Sequence, residues 1–252
     1  MATQLLIYEA AVPINPARHG QWSVEVGNDY AFSRNVNSVP LMAAEFDHAA
    51  AEYPIVFAGT KEGSMPVAIL GMRGNENLYL TPQNTWAAKY IPAFVRRYPF
   101  VFSTSKDGKT LTLCIDEKFA GCNQEGRGQR LFDDAGKPTP HVQNVMRFLQ
   151  GYQVETQRTQ AFCKKLNDLN LLEPMQAQVP LKSGQNISLT GFMGVNREKI
   201  KALSGEALAD LAKTSELEWV FLHLGSLKNF DAMKERLGAS PAGETKTAVE
   251  TK

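Results

Sequence analysis

The sequence predicts an α+β fold, with an antiparallel β-meander in the N-terminal half packed against a long central helix and further C-terminal helices. Three observations point to it. Short apolar runs bounded by Gly, Pro, Asn and Asp recur up to Ile115, the pattern of strands joined by turns. From Thr139 onward the apolar spacing changes to steps of three and four, the period of a helix face. No block of roughly 20–50 residues repeats, which argues against solenoids and propellers.

In chain order, Ser23 to Val26 and Tyr30 to Phe32 are predicted as short strands across a Gly27-Asn28-Asp29 turn. The alanine-rich stretch Leu41 to Tyr53 predicts a short helix entering a strand. Pro54 to Ala58 and Pro66 to Gly71 are compact apolar runs separated by a loose loop, the pattern of a buried hairpin, and Leu78-Tyr79-Leu80 extends the meander. The most distinctive stretch is Trp86 to Phe100, WAAKYIPAFVRRYPF, whose aromatics carry much burial per side chain and should join helix and sheet layers. Phe100 to Ser103 and Leu111 to Ile115 flank Asp107-Gly108, a strong hairpin turn.

Gly121 to Lys137 reads as an exposed loop pinned by Leu131 and Phe132. Thr139-Pro140 then opens a helix with a capping residue and a first-turn proline. Running to Asn170, it would be roughly 45 Å long, with a thin polar middle around Gln150 to Gln160, a bend at Gly151 and a stop at Glu173-Pro174. Gln176 to Pro180 and Ile187 to Phe192 suggest a hairpin across Lys182-Ser183-Gly184. Asn196 is a predicted N-cap, with Leu208 and Leu211 on the next helix. A last helix presents Leu217, Val220, Phe221, Leu224, Leu227, Phe230, Met233 and Leu237 on helical spacing and stops at Gly238. The expected organisation is one domain over 1–237 and a disordered tail over 238–252, whose small and charged residues offer little to bury.

A net charge of +1 from 27 basic and 26 acidic residues provides no long-range field for nucleic acid or anionic membranes. Three cysteines without zinc-finger or CxxC spacing argue against a disulfide framework. No secretion signal and no apolar window of spanning length is recognised, so a soluble, cytoplasmic protein is expected.

No complete catalytic motif emerges. Gly121 to Gly128 has the glycine spacing of a phosphate loop, but Arg127 and Gly128 stand where Lys and a hydroxyl residue are required. His19, His48, His141 and His223 form no metal-ligand spacing, so neither metal nor cofactor is expected. His48 and Glu52, beside Glu45 and Asp47, could hold a proton relay or one edge of a metal, against the plainer reading of a solvated helix face. Cys114 and Cys163 read as small buried hydrophobes. Asp116-Glu117 and Asp133-Asp134 are adjacent in sequence and face apart in extended chain. Arg96-Arg97 among Tyr90, Phe94, Tyr98 and Phe100 has the ingredients of a nucleic-acid contact, but charge balance favours aromatics in the core and arginines that cap a helix or pair with a carboxylate such as Glu45.

Several stretches together resemble the SapC family of bacterial proteins. They are Pro40-Leu41, Glu45-Phe46, Tyr53 to Phe57, Tyr90-Ile91-Pro92, Arg96 to Phe100, Leu171 to Pro174, Leu189 to Phe192 and His223 to Asn229. The resemblance implies surface-layer protein export or another cell-envelope role, and carries no catalytic residue over. Family members are also similar to proteins encoded near flavin-dependent halogenases and outer-membrane receptors.

The leading expectation is a non-enzymatic accessory or binding protein of SapC type for a polypeptide or small-molecule ligand. The alternative is a small-molecule-binding enzyme, or the partner of one, with a polar pocket between the sheet and the C-terminal helices. Its candidate ligand-binding residues are Glu45, His48, Arg96, Arg97 and His223. A third reading is a homo-oligomer built through the last helix, whose apolar stripe would equally suit core packing.

Overall fold

The computed structural model describes residues 6–60, 63–105, 107–180 and 186–239. The N-terminal half supplies β1 (Ala11–Pro13), α1 (Pro16–His19), β2 (Ser23–Val24), β3 (Ser38–Pro40), α2 (Phe46–Ala49), β4 (Ile55–Thr60) and β5 (Gly63–Ile69). Next come α3 (Ala93–Arg96), β6 (Phe100–Thr104), β7 (Leu111–Asp116), β8 (Cys122–Asn123) and β9 (Gln129–Arg130). The second half contains α4 (Pro140–Asp168), β10 (Leu172–Pro180), β11 (Asn186–Val195), α5 (Arg197–Lys201), α6 (Gly205–Lys213), α7 (Glu216–Ser226) and α8 (Asn229–Ala239). The α+β class is the one expected.

Two sheets carry the architecture. A five-stranded antiparallel sheet runs β10-β11-β4-β5-β3, and a three-stranded sheet runs β1-β7-β6. The β4/β5 and β6/β7 hairpins lie where the apolar runs placed them, with Val56 opposite Val67 and Phe102 opposite Leu113. The larger apolar cluster includes Phe46, Phe57, Phe162, Leu166 and Val220. A smaller one joins Phe100, Leu113, Ile115, Leu131 and Phe132 to Val142 and Leu149. Helix α4 feeds its first turns to the smaller cluster and its last turns to the larger.

Local chemistry explains where the chain departs from expectation. Tyr30 to Phe32 is no strand: Asp29 Oδ1 accepts the Ala31 N–H at 2.8 Å, and Ala31–Ser33 closes into a 3₁₀ turn. Strand β2 pairs instead with β8 and β9, so the expected loop from Gly121 contains two short strands. Asn123 organises it, its Nδ2 donating to the Gly121 and Arg127 carbonyls and its Oδ1 accepting from the Glu125 and Arg127 N–H groups, all at 3.0–3.1 Å. Amides that a phosphate would need are thus partly taken. Gly128, at φ +81°, passes so close to β2 that a Cβ would lie 2.3 Å from the Val24 carbonyl oxygen. Leu78 to Leu80 contributes only an isolated bridge, Leu80 to Trp86.

Helix α4 runs 29 residues without a break at Gly151. Thr139 begins it, but the threonine hydroxyl donates to the Arg130 carbonyl at 2.6 Å and does not cap the helix. The stop comes at Asn170, which adopts φ +54° while the Leu171 N–H reaches back to the Leu166 carbonyl at 2.9 Å. Pro174 therefore ends nothing; it sits in β10, an edge strand, where a missing N–H is tolerated. The hairpin β10/β11 starts earlier than predicted, and its expected Lys182-Ser183-Gly184 turn lies outside the described residues, as does the tail from residue 240. Asn196 caps α5 as expected, accepting from Glu198 and Lys199 at 2.8 and 3.0 Å. The single last helix is in fact α7 and α8, divided at Leu227-Lys228, and α8 runs through Gly238 to Ala239.

A candidate ligand-binding groove

The stretch from Trp86 to Phe100 is held by two carboxylates from the segment around α2. Glu52 accepts the Lys89 and Tyr90 N–H groups at 2.8 and 3.1 Å. Glu45, 7% exposed, accepts the Met42 N–H at 2.8 Å, the Tyr90 hydroxyl at 2.6 Å and the Ala93 N–H at 2.7 Å, the last at the start of α3. Tyr53 adds a third tie, taking the Trp86 indole N–H at 2.7 Å and donating to the Tyr90 carbonyl. Burial, with Glu45 beside it, raises the Tyr90 pKa, so the hydroxyl stays a neutral donor.

These contacts give the candidate residues different positions. Arg96 is exposed; its Nε donates to the Ile91 carbonyl at 2.9 Å, and its Nη2 lies 3.4 Å from the Tyr90 hydroxyl. It reaches Glu45 through that hydroxyl and makes no direct ion pair with it. His48 is exposed, 3.6 Å from Asp47 and 5.4 Å ring to ring from Tyr90. Of the acidic group around it, His48 lies beside Asp47, while Glu45 and Glu52 accept hydrogen bonds from the Trp86 to Phe100 stretch. Among the described residues no group of three or more His, Cys, Asp or Glu side chains could hold a metal ion.

His223 stands apart, fully buried. Its Nε2 accepts the Val195 N–H at 3.0 Å, which leaves Nδ1 to donate to the Ile55 carbonyl at 2.8 Å. Burial pushes its pKa down to about 4, so the ring is neutral near pH 7. Ser226 accepts the Ile55 N–H at 3.0 Å, and Asn229 donates to the Ala50 and Tyr53 carbonyls at 2.9 and 3.0 Å. The segment His223 to Asn229 is therefore a clasp on the backbone of α2 and β4.

Arg97 alone among the five lines a large groove. The space, about 610 Å³, lies between β3, the β4/β5 hairpin, β6 and the middle of α4. It does not lie between the sheet and the C-terminal helices, where the expected pocket was placed; the hollow there, about 560 Å³ between α2 and α7, is lined by Asp47, Glu218, Phe221 and Lys228. The Arg97 guanidinium stacks on Phe94 at 4.3 Å, Tyr152 at 4.9 Å and Tyr8 at 5.6 Å. Its Nε is closed off from solvent without a hydrogen-bond partner, and no carboxylate among the described residues pairs with it. Residues Tyr152, Gln153, Thr156 and Gln160 form the helical wall. They fall in the thin polar middle of the long helix, the one trace they leave in the sequence. A smaller cavity of about 270 Å³ shares Met42 and Tyr152 with the groove and includes Glu45, Gly151 and Glu155 in its lining.

The thiols belong to the core instead. Cys114 and Cys163 are buried, all three cysteines are free, and burial pushes the Cys122 and Cys163 thiols up to about 12. Asp116 accepts the Glu9 and Ala10 N–H groups, whereas Glu117 pairs with Arg18 and His19, so the two carboxylates do face apart.

The SapC family model matches residues 14–233, nearly the whole chain. This chain belongs to the SapC family. Neither the comparison with curated proteins nor that with solved structures gave a match. In this SapC member, the stretches that carried the resemblance divide by role. Glu45, Tyr53, His223, Ser226 and Asn229 bind backbone or one another, while the Arg96-Arg97 pair sends one cation to the surface and one into the groove.

Proposed function

We propose that this chain is a non-catalytic binding protein that acts in surface-layer export or another cell-envelope process, with the groove beside Arg97 as its ligand site. The observation that carries the reading is the groove's chemistry. Its lining combines apolar walls, hydroxyls and amides with one guanidinium, and among the described residues contains no carboxylate, imidazole or thiol to move a proton or attack a substrate. SapC membership supports the envelope setting. No helix among the described residues is long and apolar enough to cross a membrane, in keeping with a cytoplasmic site of action. Helix α4, shared by both apolar clusters, supports reading the chain up to residue 237 as one domain.

The test is a thermal-shift screen of metabolites and short peptides on wild type and Thr156→Trp, which fills the groove. Ligands should raise Tm only in the wild type and be recovered chemically unchanged. A ligand recovered as a new product, or shifts equal in both proteins, would sink the reading. Capture of envelope or export proteins from native lysate by wild type, and its loss in Thr156→Trp, checks the cellular setting.

A further inference from the structure

We infer that the groove takes an apolar small molecule ending in a single carboxylate, with Arg97 as the residue that recognises the anion. The inference rests on the groove being the ligand site and adds the class of ligand. Among the described residues that line it, Arg97 is the only charged one, so these residues offer one positive charge and no negative one. That cation is held in place: its guanidinium carbon lies over the Phe94 and Tyr152 rings, 4.3 and 4.9 Å from their centroids.

Stacking orients a guanidinium but does not satisfy its N–H donors. Nε is already cut off from solvent and unpartnered, a loss that structures keep when something else repays it. Arg97 is half-buried and lines the groove, with the Tyr8 ring 5.6 Å from its guanidinium and no carboxylate paired with it among the described residues. A carboxylate there can accept two parallel N–H bonds in surroundings of low dielectric. The remainder of the ligand meets Met42, Met65, Val67, Val101, Phe102 and Leu149, which reward apolar area and nothing charged. Gln153, Thr156 and Gln160 provide neutral donors and acceptors along one side. A second charge on the ligand would find no partner among the described lining residues, and burying it unpaired would oppose binding. The volume, about 610 Å³, suits a small molecule of ordinary metabolite size.

The experiment compares decanoate, decanol and decylammonium by calorimetric titration, all below their aggregation concentrations, on the full chain. Decanoate should bind at least tenfold more tightly than decanol, and decylammonium should not bind. Arg97→Met should erase the preference for decanoate over decanol while leaving decanol binding within threefold. Gln153→Glu, which leaves Arg97, Phe94 and Tyr152 unchanged, should weaken decanoate at least tenfold and spare decanol, so the result does not hang on one variant's folding. Equal binding of decanoate and decanol to wild type would overturn the ligand class, and so would no binding of decanoate. Binding of decanoate by Thr156→Trp at wild-type strength would instead show that the groove is not the site.

Discussion

The clasp at His223 and the groove at Arg97 are both built around a nitrogen-rich side chain packed on aromatic carbon, one ring for His223 and three for Arg97, yet they treat polar atoms in opposite ways. At the clasp, both imidazole nitrogens, the Ser226 hydroxyl and the Asn229 amide all find backbone partners. At the groove, Arg97 Nε has none, and Glu155 Oε2 in the neighbouring cavity has none either. A buried polar group with all its partners within the chain stabilises the fold, whereas one left over is open to something outside it. Within one family signature, then, the polar atoms of one region are spent on the fold while the other keeps at least one unpartnered.

That contrast can be broken in order of expected effect. Replacing His223→Leu strands the Val195 N–H and the Ile55 carbonyl, and should cost about 3–5 kcal/mol in urea unfolding; a loss under 1 kcal/mol would show that the clasp is not structural. The same histidine should impose a pH dependence. Its folded pKa is about 4 against an ordinary 6.5, so the unfolded chain binds the proton first as pH falls. The contribution is complete above pH 6.5 and disappears as pH drops through about 4, a change of about 3 kcal/mol at 1.36 kcal/mol per pKa unit. Wild type should show this slope between pH 6.5 and 4, and His223→Gln should flatten it.

Glu45→Leu removes one acceptor from three donors and should cost about 2–4 kcal/mol by the same measurement. Arg97→Met should change stability by less than about 1 kcal/mol, because the lost stacking is offset by removal of a half-buried charge without a partner. A larger loss would place Arg97 with the clasp. Smallest is Gly151→Ala, on an exposed helical turn where a Cβ meets nothing within 4 Å; it should raise stability by about 0.5–1 kcal/mol.

What was legible in the sequence was what is locally encoded. The hairpins β4/β5 and β6/β7 and the body of α4 follow from apolar period and turn residues, which act within a few positions. The β2-β8-β9 sheet was not legible, since its strands are two residues long and depend on Asn123 meeting a segment 100 residues away. The break between α7 and α8 was hidden because the apolar spacing continues across it; what marks it is Asn229 reaching the Ala50 and Tyr53 carbonyls. For the site, Arg96-Arg97 among aromatics was visible as an unusual pair. Which of the two would face a groove was not, because that depends on a Tyr90 hydroxyl interposed before Glu45 and on a wall contributed by α4. His223 shows the converse: imidazole chemistry suggests ligands, and only the tertiary structure reveals both nitrogens already engaged.

The clasp also governs the order in which the protein can be completed. Its contacts with Ile55 join positions 168 and 171 residues apart. At a synthesis rate of about 5–20 residues per second, β4 would wait on the order of 10–30 s for the residues that satisfy its backbone. During that interval the nascent sheet has an incomplete cover, and a chain halted before residue 223 leaves the Ile55 N–H and carbonyl without these partners.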